Sequence, residues 1–250
     1  KGGTGRTMAL ANCAVLLARG HVAPLGGTAR PRRVLAVDWD LEAPGLHRYF
    51  ETMLAPEERA ALEARPGLVE WMTTIDADTG DWAVTDPDEG WARSLDLLNS
   101  VGLDDYVTPT RVEGVHLMKA GQLGPDYRGR VNALKWHALF ERAAGLFPAL
   151  AHFLCQCYDY VLIDSRTGIT DTGGICTALL PQRLVVVFTP NLQSLTGVEA
   201  VVRQAVEYRR RSGDLRPLSV FPLPSRIELA RPDLIAWWRS GGKAPVAHAA

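Results

Sequence analysis

The stretch KGGTGRT at residues 1–7 decides the fold that the sequence predicts, together with the apolar segment TMALANCAVLLAR at residues 7–19 that continues it. Three glycines allow the backbone to curl so that successive N–H groups point inward and form a cradle for an anion. The apolar segment has no proline or glycine, and Leu10, Ala14 and Leu17 recur at helical spacing, so we predict a helix there. The positive N-terminal end of that helix would face the same anion.

Three side chains give this loop the means to bind a chain of phosphates. The hydroxyl of Thr7 stands where it can ligate Mg²⁺, and the cation of Arg6 can reach the outer phosphates. Lys1 adds another cation. Only four of the 27 basic residues are lysines, so a lysine here favours a need for a compact ammonium charge. The alternative is a glycine-rich loop that precedes a helix without binding an anion.

Two later apolar runs end in aspartates. The run VLAVD ends at Asp38, with Asp40 two residues further on, and the run YVLID ends at Asp164. Such runs are typical of buried parallel strands, and acidic side chains at the carboxyl end of a strand lie where open α/β sheets bind ligands. One of Asp38 and Asp40 could support Mg²⁺ while the other orients a water, and Asp164 would bond the Mg²⁺ shell. The alternative for Asp38 and Asp40 is helix capping and turn formation.

Predicted strands and helices alternate along the whole chain. Because parallel strands need a crossover helix, the predicted fold is α/β and doubly wound, with a mainly parallel sheet flanked by helices. The predicted strands cover residues 34–37, 115–119, 160–163, 184–189 and 218–223, and the predicted helices cover residues 7–19, 46–54, 56–64, 131–155 and 197–211. Residues 76–90 are predicted to be a charged, solvated loop, with a cation site as the weaker alternative. We expect a single domain over residues 1–240, a linker or tail over 241–250, and a first strand upstream of Lys1.

Composition and charge argue against several classes of protein. The 250 residues carry 27 basic and 28 acidic side chains, so no overall charge steers the chain to nucleic acid or anionic lipid. Four cysteines are too few for a disulfide framework, and no apolar run approaches the roughly 20 residues of a membrane helix. We therefore expect a cytoplasmic protein without membrane contact. We interpret Cys155 and Cys157 as packing residues, and the arginines between residues 203 and 216 as a solvated helix end, with DNA binding as the weaker alternative.

These motifs resemble those of the MinD/ParA group of ATPases, P-loop NTPases with a deviant Walker A motif. KGGTGRT looks like the group's phosphate loop KGGxGK[ST]. VDWDLEAPG at residues 37–45 resembles its switch I, LIDSRTG at residues 162–168 resembles its switch II, and TPNLQSLTG at residues 189–197 is similar to its next loop. The likeness covers about residues 1–223, loosely over 46–130. The particular residues of these motifs resemble those of a bacterial subgroup that often occurs as a module of larger signalling or defence proteins.

The resemblance implies a role for each matching residue. Thr7, Asp38 and Asp164 would hold or support Mg²⁺, and Asp40 would position the attacking water. Lys1 would reach the ATP of a partner subunit across a two-fold interface, which implies an ATP-dependent homodimer. The implied catalytic residues are Lys1, Arg6 and Asp40, and the implied nucleotide-binding residues are Gly2, Gly3, Thr4, Gly5, Arg6, Thr7, Met8, Gly168, Pro224 and Arg226.

Two departures from the group's pattern leave alternatives open. Arg6 stands in place of the usual loop lysine, and residues 221–226 lack the asparagine of the usual adenine contact, which leaves Pro224 and Arg226 at that place. Because a forked guanidinium replaces a compact ammonium, ATP binding should survive more easily than turnover. We expect a Mg²⁺-ATP-dependent molecular switch with slow hydrolysis, flanked by effector or sensor domains. The alternatives are a nucleotide-gated scaffold that controls an attached effector, and a phosphotransferase like the bacterial tyrosine kinases that share this loop type.

Overall fold

The chain folds around the apolar run that ends at Asp38. The computed structural model describes residues 3–20, 31–51, 55–83, 86–166, 174–212, 216–228 and 230–240. By their contacts, the residues form two units. The larger unit is Arg6–Pro181, and the smaller unit combines Lys1–Gly5 with Gln182–Ala250.

The larger unit contains a mainly parallel sheet, as predicted. Strand β1 (Val34–Asp38) lies between β3 (Val115–Met118) and β4 (Tyr160–Asp164) and runs parallel to both. The two-residue strand β2 (Thr108–Pro109) is antiparallel to β3, so the order is β2-β3-β1-β4. All five residues of β1 are buried, as expected for a central parallel strand.

The two faces of this sheet bury alternate residues of each strand. Val34 and Ala36 of β1 pack with alanines of helix α1 (Arg6–Ala18) in one cluster. Leu35 and Val37 belong to the larger cluster on the other face. Because side chains alternate along a strand, the side chain of Asp38, which follows Val37, lies on the face covered by α1.

Helices of the larger unit cover both faces of the sheet. After α1 they are α2 (Arg48–Glu51), α3 (Pro56–Ala64), α4 (Leu68–Asp78), α5 (Pro87–Val101), α6 (Tyr127–Ala133), α7 (Trp136–Arg142) and α8 (Leu146–Cys157), and a short π-helix (Ile175–Leu179) follows. In the described part of the chain, no single helix is long and apolar enough to cross a membrane. The segment Tyr127–Arg142 and helix α8 reach that length and apolarity only together, across a bend of 100°.

Helix ends replace much of the charged loop predicted at residues 76–90. Helix α4 continues to Asp78, and α5 begins at Pro87. The carboxylate of Asp86 caps α5, since it accepts hydrogen bonds from the N–H groups of Asp88 and Glu89. The acidic residues therefore stabilise a helix start, where negative charge is favourable, and the loop prediction was wrong for them.

The long helix predicted over residues 131–155 is divided into α6, α7 and α8. Gly145 lies at the last break, and a Cβ atom there would lie 2.2 Å from the backbone nitrogen of Trp91 in α5. The backbones of α5 and α8 thus approach too closely for a side chain. Pro148 lies within the range predicted as one helix but causes no bend, because it lies in the first turn of α8, where a missing N–H costs no helical hydrogen bond.

The smaller unit contains two parallel strands joined by a helix. Strands β5 (Arg183–Phe188) and β6 (Ser219–Pro224) pair along their whole length, within one residue of the predicted bounds. Helix α9 (Leu192–Arg211) begins earlier than predicted because Asn191 caps it: the Asn191 side chain accepts a hydrogen bond from the N–H of Ser194.

The arginines near the end of α9 make contacts within the chain. Arg209 is buried, and its Nη1 donates to the carbonyl of Arg216 at 2.8 Å. Arg203 and Arg211 each pair with the glutamate four residues earlier. A last helix, α10 (Pro232–Ser240), follows β6. Arg203, Arg209 and Arg211 therefore have structural roles in α9 and at its C-terminal end.

We predict that Gly145→Ala lowers the free energy of unfolding by about 1–3 kcal/mol, because its Cβ atom must push α5 and α8 apart. The matched control is Gly129→Ala in α6, where a Cβ atom would meet nothing within 4 Å. That variant should be neutral or more stable by up to about 1 kcal/mol. Urea denaturation followed by circular dichroism measures both, and equal stability of the two variants would contradict the close helix approach.

Candidate functional site

Two buried carboxylates lie side by side at the carboxyl edge of the sheet. Asp38 ends β1, Asp164 ends β4, and the two residues are register partners. Asp38 is fully buried and Asp164 is 6% exposed. Two neighbouring negative charges are costly to bury unless a positive charge compensates them. This edge is therefore where the larger unit would accept a cation.

Asp164, which the sequence predicts to support Mg²⁺, is tied to the first turn of α1. Its carboxylate accepts a hydrogen bond from the hydroxyl of Thr7, in the first turn of α1. Burial raises the pKa of Asp164 to about 6; the Thr7 bond and the charge of Arg6 oppose this rise, and Asp38 adds to it. A hydroxyl and a carboxylate are hard oxygen donors of the kind that Mg²⁺ takes alongside phosphate oxygens and water. The donor set fits the ion, although its role stays a prediction.

A complete metal cage is absent from the described ranges. Among those residues, no group of three or more histidine, cysteine, aspartate or glutamate side chains could hold a metal ion. Mg²⁺ at nucleotide sites characteristically uses one or two protein ligands and takes the rest from the substrate phosphates.

Asp38 organises the loop that follows β1. One carboxylate oxygen accepts hydrogen bonds from the N–H groups of Gly45 at 2.9 Å and Leu46 at 3.0 Å. The other oxygen accepts from the N–H of Asp40 at 3.3 Å. Loop 39–46 is thus wrapped around a buried carboxylate, a turn-forming role that the sequence had left open beside metal support.

Asp40 lies half-buried in the same loop. Its Oδ1 accepts a hydrogen bond from the N–H of Ala43 at 3.2 Å, and the structure gives its other oxygen no partner among the described residues. Glu42 forms an ion pair with Arg166, just after β4. This ion pair joins the loops that follow the two strands, although both side chains are largely exposed and such pairs contribute little stability.

The glycine loop has the predicted backbone curl. In the smaller unit, Gly3 and Gly5 have φ angles of 86° and 83°, in the left-handed region that glycine adopts without strain. Two buried atoms of the loop, Oγ1 of Thr4 and Nη1 of Arg6, have no hydrogen-bond partner among the described residues. Orphaned buried donors are rare and costly. A phosphate oxygen is the kind of acceptor that would satisfy the Nη1 of Arg6, in the larger unit.

The remaining predicted site residues belong to several elements of the two units. Met8 is 51% exposed on α1, and Pro224 ends β6 with an exposed side chain. Arg226, predicted near the base, has a φ of 53°, and its guanidinium lies 3.2 Å from the position that a Cβ atom on Gly3 would occupy. Three predicted residues lie outside the described ranges, namely Lys1, Gly2 and Gly168.

Sequence reasoning missed the side chains that enclose the loop after β1. The hydroxyl of Tyr127 donates to the carbonyl of Leu41, and the ring of Trp136 packs against Trp39. His47 lies 3.9 Å from the carboxylate of Asp38. No motif marks these residues, since Tyr127 is 86 positions from its partner.

Comparison with known proteins supports the fold. No family model matches the sequence, and no curated protein is significantly similar to it. McdA from Cyanothece in its apo form is 16% identical with a TM-score of 0.54, covering 89% of this chain and 68% of McdA. A McdA–ATP complex is 16% identical with a TM-score of 0.53, covering 94% and 74%. The VpsO kinase domain is 16% identical with a TM-score of 0.51, covering 91% and 81%.

The chain has the fold of a P-loop NTPase. In open α/β sheets, ligands bind at the carboxyl ends of the strands, and Asp38 and Asp164 lie at that edge of the larger unit's sheet. The neighbours include both an ATP-bound protein and a kinase domain. The P-loop NTPase fold therefore does not by itself select a reaction, which must be inferred from the residues of this chain.

We predict that Asp164→Asn stabilises the ligand-free protein at pH 7.5 by about 1–3 kcal/mol, because the neutral amide avoids the cost of burying a charge. The folded pKa of about 6 lies above the ordinary value of 3.8, so the wild type loses stability as the pH rises through this window. The advantage of the variant should shrink toward pH 4. Chemical denaturation at both pH values measures it, with the exposed Asp81→Asn as control. An equally large advantage at pH 4 would show that the buried charge of Asp164 is not its cause.

Proposed function

We propose that the chain binds ATP with Mg²⁺ and hydrolyses it slowly, as a molecular switch. The observation that carries this proposal is the pairing of Asp38 with Asp164 at the sheet edge, with Asp164 bonded to Thr7 at the start of α1. In the same unit, the Nη1 of Arg6 has no hydrogen-bond partner among the described residues and would donate to a phosphate oxygen. An acidic pair for a cation and an arginine at the start of α1 for an anion suit a metal–triphosphate ligand.

The proposed metal ligands are Thr7 and Asp164, with Asp38 in support. Mg²⁺ would supply charge neutralisation for the β- and γ-phosphates. Both carboxylate oxygens of Asp38 accept hydrogen bonds from N–H groups of loop 39–46. Asp38 would therefore support the metal site largely by holding that loop beside it. The P-loop residues 2–8 would wrap the phosphates with backbone N–H groups, and Gly168 would lie near the γ-phosphate.

Asp40 is the proposed positioning group for the attacking water. Its Oδ1 is held by the N–H of Ala43, which fixes the carboxylate and leaves one oxygen to accept from water. Arg6 and Lys1 would stabilise the charge on the transferred phosphoryl group. Because Arg6 is bulkier than lysine and its guanidinium is forked, we propose slow turnover.

Dimerisation is the proposed consequence of ATP binding. Lys1 would contact the ATP of a second copy, so that two chains close over two nucleotides and part after hydrolysis. Flanking effector or sensor domains would then read the state of the dimer. Arginine at position 6, in place of the usual lysine, equally favours a second candidate, a scaffold that binds ATP and dimerises without appreciable hydrolysis.

We predict that Asp40→Ala slows phosphate release by about 10- to 100-fold while ATP affinity changes less than threefold, because a water-positioning group acts in the transition state. The control, Asp81→Ala, removes an exposed carboxylate outside the site and should match the wild type. A wild-type rate per chain that rises with protein concentration is expected if hydrolysis needs the dimer.

Three results would redirect this proposal. Equal rates for Asp40→Ala and wild type would remove Asp40 from the mechanism. Background release by the wild type together with measurable ATP affinity would favour the scaffold. Transfer of phosphate to the protein, detected by mass spectrometry, would favour the phosphotransferase.

A further inference from the structure

The loop that carries Asp40 is held from outside by residues far along the chain. The hydroxyl of Tyr127, the first residue of α6, donates to the carbonyl of Leu41 at 3.0 Å. Tyr127 is 7% exposed and Leu41 is 6% exposed, so the bond is shielded from water. A buried carbonyl that loses its donor pays the full desolvation penalty, which makes this bond a strong local restraint.

A second contact restrains the other side of Asp40. The rings of Trp39 and Trp136 lie with centroids 5.9 Å apart at an interplanar angle of 44°. Both are buried, and the backbone N–H of Trp39 donates to the carbonyl of Asp164 at 2.8 Å. The residues before and after Asp40 are therefore both fixed, one by an aromatic contact and one by a hydroxyl.

Helix α6 is itself anchored, so it can act as a support. Arg130 of α6 lies 3.3 Å from the carboxylate of Glu70 in α4. The same carboxylate accepts hydrogen bonds from the N–H groups of Gly67, at 2.8 Å, and Gln122, at 3.2 Å. Tyr127 therefore presents its hydroxyl from a helix tied to the body of the larger unit.

We propose that Tyr127 is a positioning residue for hydrolysis, whose hydrogen bond to Leu41 holds loop 39–46 so that Asp40 stays at the sheet edge. The inference rests on the role proposed for Asp40. The ring of Tyr127 contributes packing, but the hydroxyl supplies the directional restraint. Burial raises the pKa of the hydroxyl, with the charges of Asp38, Glu70 and Asp40 adding to the rise, so it remains a donor at any pH at which the protein works.

The test is Tyr127→Phe, which keeps the ring and removes only the donor. The matched control is Tyr106→Phe, since the hydroxyl of half-buried Tyr106 also has a partner, Oγ1 of Thr74 at 3.2 Å, away from the loop. Tyr127→Phe should lower kcat for ATP about tenfold with KM and ATP affinity changed less than twofold. Tyr106→Phe should leave both constants at the wild-type values.

A second readout does not depend on catalysis. The N–H groups of Gly45 and Leu46 bond to Asp38, and their hydrogen exchange, followed by nuclear magnetic resonance, reports the order of the loop. Tyr127→Phe should speed their exchange at least tenfold and leave the amides of β1 unchanged, and Tyr106→Phe should affect neither. If the wild type neither binds nor hydrolyses ATP, the proposed function fails, and this exchange result alone decides whether Tyr127 positions the loop.

Two outcomes would overturn the inference. Unchanged exchange at Gly45 and Leu46 in Tyr127→Phe would show that the hydroxyl does not hold the loop. Faster exchange across β1 as well as the loop, or a loosened loop with an unchanged kcat in an active enzyme, would reduce Tyr127 to a structural residue.

Discussion

The burial of two carboxylates at one sheet edge is the constraint on which the rest of the larger unit depends. Asp38 and Asp164 are brought together because β1 and β4 are parallel and in register, so their carboxyl ends coincide. The two buried carboxylates are compensated by different groups. Asp38 is surrounded by N–H groups of its own loop, whereas Asp164 has one hydroxyl and a raised pKa. The charge of Asp164 is thus compensated less completely than that of Asp38, which supports the cation site proposed at this edge.

The buried pair also explains why the loop after β1 has a fixed shape. Asp38 draws the N–H groups of the loop inward, and Tyr127 and Trp136 close over it from outside. The loop is therefore held from both sides. Contacts made by its neighbours can in this way fix the position of Asp40, although Asp40 itself makes few hydrogen bonds with the described residues. The side chains that hold the loop thus come from helices between β3 and β4, which are remote in sequence from the loop itself.

The strands and the order of the site motifs could be predicted from the sequence, because continuous apolar runs that end in aspartate carry their own signal. Val34–Asp38 and Tyr160–Asp164 appear within one residue of their predicted bounds. The helices between β1 and β4 were predicted less accurately than the strands. The acids at residues 86–89 have the composition of a solvated loop, but Asp86 caps α5 and the other two lie in its first turn. Gly145 marks a close approach of two helices that only the folded structure shows. Tyr127 was missed because a buried hydroxyl bonded to a distant carbonyl leaves no pattern in the sequence.

The most direct test of the central claim is isothermal titration calorimetry of the folded protein with ATP, in the presence and in the absence of Mg²⁺. We expect ATP to give saturable heat in the presence of Mg²⁺, with one nucleotide bound per chain. Binding should be markedly weaker without the metal or in the Thr7→Ala variant. Absence of heat with ATP and Mg²⁺, from a protein shown to be folded, would contradict the assignment of the sheet edge and the P-loop to a metal–nucleotide site.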